Sequence, residues 1–162
     1  MIDNFKRGFD LVLGFEGGFT DDPNDSGGKT KYGISKKAYP DEDIVNLTLS
    51  RAKELYKRDY WDKCRCDQLP DGTDIVVFDT AVNMGVGYAA KTLQKAVGAT
   101  ADGKIGPQTL SLVNYSNPQE LLANYMTSRM LKYHRIAVKN TKNEKFVKGW
   151  FRRVFSLYSK II

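Results

Sequence analysis

Apolar residues recur along most of this chain at the three-and-four spacing of a helix face. Ile2, Phe5, Phe9, Val12 and Leu13 form the first such stripe, and Asp3 can support its N-terminal end. The paired glycines Gly17 and Gly18 predict its termination. Residues 19–33 break the periodicity. Asp22-Pro23 and Ser26-Gly27-Gly28 are turn signals, so the segment reads as an irregular loop or a short β-hairpin. After Tyr39-Pro40, Ile44 and Val45 mark a short element. Ser50 can then cap a helix through about Tyr60 that carries Ala52, Leu55 and Tyr56.

Leu69-Pro70-Asp71-Gly72 is a strong break. Residues 74–84 are apolar on nearly every side, which predicts a central buried helix, although Ile75, Val76, Val77 and Phe78 alone also fit a strand. A helix over residues 88–97 follows, then the turn at 101–106 and a helix that Pro107 can begin. Asn117-Pro118 introduces another, with Leu121, Leu122, Tyr125, Met126, Met130 and Tyr133 as its buried stripe. The last covers roughly residues 145–158, with Phe146, Trp150, Val154 and Leu157 on one face. The sum is a mainly α fold with a small irregular or β-containing wing.

At 162 residues the chain suits one domain with one core. Its 41% hydrophobic and 27% charged content fits a globular protein. Charge changes the picture more than composition does. Residues 129–162 hold ten Lys or Arg against the single acid Glu144, whereas the first 128 residues are slightly acidic. That asymmetry points to a polyanion or an anionic envelope surface, with a solvated helix face as the plainer reading. Asp3 and Asp10 interrupt the N-terminal apolar stretch, so no signal peptide is expected, and no run approaches the roughly 18 apolar residues that span a bilayer. A cytoplasmic pool, without stable membrane insertion, is the expectation. Cys64 and Cys66, one residue apart, are expected as reduced thiols rather than a disulfide or a metal pair.

Candidate chemistry gathers where the first stripe stops. Glu16 stands at the C-terminal end of a helix, whose carbonyls disfavour a carboxylate, and Phe15 and Phe19 can add desolvation. Both effects favour a protonated acid, as general-acid cleavage of a glycosidic bond needs. Asp25, across the turn, can face it as a second carboxylate, with Thr30 holding water or orienting Asp25. As isolated residues, Asp22, Asn24 and Asp25 also read as ordinary turn formers. Tyr32, Tyr60, Trp61 and Tyr88 adjoin polar or glycine-rich turns, where rings can stack on sugars. Asn83 can hold an N-acetyl group, and Asp79, inside the apolar segment, either orients a cleft residue or pairs with an arginine. His134 stands alone on a basic helix and reads as a packing residue. Neither a metal nor a cofactor is expected, and no nucleic-acid module is recognisable.

The stretch EGGFTDDPNDSGGKTKYGIS resembles the signature of glycoside hydrolase family 108, N-acetylmuramidases of phage endolysins and secretion-associated proteins. AKELYKRDYWD, LPDGTDIVVFDTAVNMG, LQKAVGATADGKIGPQTL and KFVKGWFRRV are similar to further blocks of that family, in order and over nearly the whole chain. The resemblance implies a lysozyme-like fold with a substrate cleft between two lobes. It also implies cleavage of peptidoglycan glycan strands between N-acetylmuramic acid and N-acetylglucosamine, with Glu16 as the catalytic acid. Residues 1–68 would form the catalytic lobe with the wing, and residues 69–162 a helical lobe resembling a peptidoglycan-binding region. The interval from Glu16 to Asp25 matches phage-type lysozymes, and Thr30 falls one residue early. A monomer that reaches the wall through a holin-like pore or a secretion apparatus is the corresponding expectation. The competing one is a non-catalytic wall-binding or secretion-accessory protein of the same fold.

Overall fold

The computed structural model describes residues 3–16 and 29–161, with Glu16 as backbone alone. Seven α-helices, one π-helical and two 3-10 turns, and one two-stranded sheet make up the regular structure of the described residues. Ile2, Gly17, Gly18, Phe19, the turn signals between 22 and 28, and Asp25 lie outside them.

Helix α1 (Asn4–Glu16) starts where the sequence places its support: the Asp3 carboxylate accepts the Lys6 amide at 2.9 Å. Phe9 and Val12 are buried, and Gly8 lets the helix lie close to its neighbour. A Cβ on Gly8 would stand 3.2 Å from Phe78 Cδ1.

The wing is an antiparallel pair, β1 (Thr30–Lys31) and β2 (Ile34–Ser35), in which Thr30 faces Ser35 and Lys31 faces Ile34. Its two-residue turn, Tyr32-Gly33, has positive φ at both positions, 54° and 75°, the pattern that matches hairpin twist. Ile44 and Val45 form no element of their own. They lie in an irregular stretch that buries Ile44 and exposes Val45.

Helix α2 (Leu49–Tyr56) is capped by Thr48, whose hydroxyl accepts the Arg51 amide at 3.1 Å, so the expected Ser50 cap is two residues late. The helix then widens into a π-turn over Lys57–Trp61, closed by the Asp62 amide on the Lys57 carbonyl at 2.8 Å. The inserted residue moves the inward position from 60 to 61.

Helix α3 (Thr73–Met84) is the axis of the fold, buried from Thr73 through Ala81. Its all-round apolar character belongs to a helix surrounded by others, which disposes of the strand alternative for residues 75–78. Helix α4 (Val86–Ala96) follows, then α5 (Pro107–Tyr115), with Pro107 in its first turn. Between them, buried Gln94 braces the turn: its side-chain amide donates to Asp102 Oδ1 at 2.7 Å and to the Lys104 carbonyl at 3.0 Å, while its oxygen accepts the Gly103 amide at 2.9 Å.

Helix α6 (Pro118–Lys139) is capped by Asn117, which accepts the Gln119 and Glu120 amides. Its expected stripe is inward, with Met130 half-buried and Arg129 as an unforeseen member. Helix α7 (Glu144–Ile161) buries Arg153, Val154 and Leu157. Phe146, expected on that face, is instead exposed, in the first turn of α7, with the Trp150 ring at 5.9 Å and Lys145 at 5.0 Å. No helix among the described residues is long and apolar enough to cross a membrane.

Candidate active site

Helices α1 and α3 pack together. At their starts, the Asn4 side chain donates to Asp74 at 2.9 Å and to Asp71 at 3.1 Å, and Phe5 meets Phe78 edge-on. Arg153 from α7 ties the two together: its guanidinium lies 4.8 Å from the ring of Phe15, near the end of α1, and bonds Asp79, midway along α3, at 2.8 Å. Phe15, in the last turn of α1, is thus linked through Arg153 to Asp79, one turn before Asn83 on α3.

The link from Arg153 to Asp79 belongs to a buried polar network. Asp79 has no exposed side-chain surface and takes Arg129 at 2.6 Å as well as Arg153. Burial alone works to discharge Arg129, but Asp79 and the Tyr133 oxygen outweigh it and hold the guanidinium charged. Arg129 also donates to Thr80 at 3.2 Å and to the Tyr133 oxygen at 3.1 Å. Tyr133 in turn donates to Asn83 Oδ1, and its ring stacks on Trp150 at 4.9 Å. Asn83 is thus held in place by a chain of bonds that starts at Asp79. Of the two expectations for Asp79, the arginine pairing is realised directly, and the chain extends it to a candidate site residue.

The wing is tied to α2. Tyr32 adopts a left-handed conformation rare for a residue with a side chain, and its carbonyl accepts the Tyr56 hydroxyl at 3.0 Å. Thr30 is half-buried on β1. Beyond the wing an open cleft of about 710 Å³ is lined by Tyr39, Arg58, Asp59, Tyr60, Lys63 and Val86, among others. Tyr39 donates to Asp59 at 3.0 Å, and burial, then the neighbouring Tyr60, push its hydroxyl well above the ordinary tyrosine value. Arg58, ahead of Tyr39, holds Asp59 below the usual carboxylate range. The cleft thus offers ring surface, a neutral hydroxyl and charges of both signs, a set suited to a polyhydroxylated ligand.

The expected sugar contacts therefore separate. Tyr60 lines the cleft. Trp61 does not face solvent at all: it is 1% exposed, donates its indole N–H to Asp67 at 2.8 Å and packs against Phe5 and Phe78. The π-turn is the reason, since it rotates Trp61 into the core and leaves Tyr60 at the surface. Tyr88 bridges α4 to α6, its hydroxyl 3.4 Å from the Ser128 carbonyl and Lys132 over its ring. His134 is exposed on α6. Cys64 and Cys66 are free and buried, and burial, then Cys64, push the Cys66 thiol well up, away from nucleophilic use.

Tyr39, Asp59, Arg129 and Arg153 escaped the sequence reading. For the two arginines a signal exists: both fall on the apolar stripe of their helix, where a cation requires a buried partner.

Residues 9–85 match the family model described as glycosyl hydrolase 108, and residues 88–155 match one described as a predicted peptidoglycan domain. Among solved structures, that of Brucella abortus SagA is similar, with 31% sequence identity and a TM-score of 0.81. The match covers 97% of this chain and 92% of that one. No curated protein matches the chain.

Proposed function

The chain belongs to the glycosyl hydrolase 108 family, and from that premise we propose that it is a muramidase, cleaving peptidoglycan between N-acetylmuramic acid and N-acetylglucosamine. The glycoside hydrolase family and the peptidoglycan region make a hydrolase of wall glycan the general reading. The finer one is supported by a single relationship: Arg153 links Phe15, next to Glu16 on α1, to Asp79, one turn before Asn83 on α3.

In this reading Glu16 protonates the leaving glycosidic oxygen. Asp25 supplies the second carboxylate, and Thr30 orients it or a water. Asn83, held by Tyr133, bonds an N-acetyl group, while Tyr32 and Tyr60 flank the glycan and the cleft beyond Tyr39 receives its continuation. Residues 1–68 act as the catalytic lobe and residues 69–162 as the helical lobe, in a monomer that reaches the wall by an export route.

Glu16→Gln tests the assignment. With the fold intact by circular dichroism, the variant should release no reducing ends from purified sacculi. Wild-type protein should release muropeptides ending in N-acetylmuramic acid. Full activity of the variant overturns the role of Glu16. Wild-type protein that sediments with sacculi yet releases nothing establishes instead a non-catalytic wall binder.

A further inference from the structure

The basic end of the chain gives the site network Arg129, Tyr133, Trp150 and Arg153, all of them turned inward, and its outward surface is unusual. On α7, Lys148, Arg152, Phe155 and Ser159 succeed one another about a turn apart and are all exposed, and Lys145 and Lys160 flank them. Phe155, at 62% exposure, stands in the middle of these cations. Phe146 and Tyr158 are also exposed, with Lys145 5.0 Å from the Phe146 ring. The second half of α6 repeats the arrangement: Leu131 and Val138, the latter 66% exposed, share a face with Arg135. From residue 129 to the end, Glu144 is the one acidic side chain.

A solvated helix face needs the charges and not the rings. A soluble polyanion likewise needs the charges alone. Large apolar side chains interleaved with lysine and arginine meet both requirements of a surface that is anionic at its plane and apolar just beneath. We propose that the outer face of α7 docks on an anionic lipid surface, the cations on headgroup phosphates and Phe155 among the acyl chains. Docking is peripheral, since α7 is not apolar enough to cross a bilayer. The proposal is independent of the glycosidase assignment.

The test is sedimentation of the full chain with phosphatidylglycerol-rich vesicles and with phosphatidylcholine vesicles, at low and high salt. Binding should favour the anionic vesicles and weaken with salt. Phe155→Ser should lower the partition coefficient about tenfold, and Lys148→Glu with Arg152→Glu about a hundredfold or more. Far-UV circular dichroism and the melting temperature should be unchanged in both, which reports that they fold. Absence of binding, or equal binding to both vesicle types, overturns the proposal. So does a Phe155→Ser variant that binds like wild type while charge reversal abolishes binding, because the face then recognises a polyanion by charge alone.

Discussion

Asp79 and Arg129 meet at 2.6 Å with neither side chain exposed, and Arg153 takes the other oxygen of the same carboxylate at 2.8 Å. Removing the carboxylate leaves two guanidinium groups facing each other in the core. Asp79→Leu should therefore cost about 3–5 kcal/mol in urea unfolding. Combining it with Arg129→Met should recover part of that loss, because one uncompensated charge is removed with its partner. Additive losses in the double variant would show that the pair is not coupled.

Tyr133 transmits the network to Asn83. Tyr133→Phe keeps the ring on Trp150 and deletes only the hydroxyl that Asn83 and Arg129 share. The expected cost is about 1–2 kcal/mol. Turnover on sacculi should fall as well, since the amide loses its anchor. Unchanged turnover with the stability loss present would confine Tyr133 to packing.

Tyr60 and Trp61 are adjacent in sequence, but Tyr60 is half-buried at the cleft and Trp61 lies in the core, so their alanine variants should fail differently. Trp61→Ala empties a core position and should cost about 3–5 kcal/mol. Tyr60→Ala should leave the melting temperature within a few degrees and raise KM for soluble glycan fragments. Matching stability losses in both would contradict the rotation by the π-turn.

Gln94 bonds three successive residues of the turn between α4 and α5. Gln94→Leu leaves those groups without their buried partner and should cost about 1–3 kcal/mol. Hydrogen exchange at the Gly103 amide should accelerate accordingly. Gly103→Ala should cost about 1 kcal/mol by itself, since φ is +86° there.

Asp74, 3% exposed at the start of α3, has its carboxyl pushed up to about 6 by burial, against an ordinary 3.8. Between those values the folded chain keeps a proton that the unfolded chain has released. Stability should therefore decline as pH rises through that window, by about 2–3 kcal/mol in all, and stay lower above it. Asp74→Asn should remove the decline and raise stability at neutral pH. Its amide also finds an acceptor, because Asn4 Oδ1 has no partner among the described residues. A pH profile that keeps its slope in the variant would assign the effect to another group.

Much of the fold was legible because it rests on local rules. Helical periodicity, the Asn117 cap, Pro107 at a first turn and the apolar character of residues 74–84 each act within a few residues of their cause. The candidate site was legible in part. Glu16 at a helix end and Tyr60 in the cleft are readable from neighbours in sequence, whereas Tyr39 and Asp59 become a site only when the wing meets the π-turn.

The sequence by itself determined the helical elements, the family signature around Glu16 and the concentration of positive charge after residue 128, because pattern and composition are properties of the chain. Only the tertiary structure decided that Trp61 turns inward, that Asp79 binds Arg129 and Arg153, and that Arg153 joins α1 to α3. Burial and long-range pairing depend on what each helix packs against. Asp79 and Arg153 are 74 residues apart, and no local spacing encodes that contact.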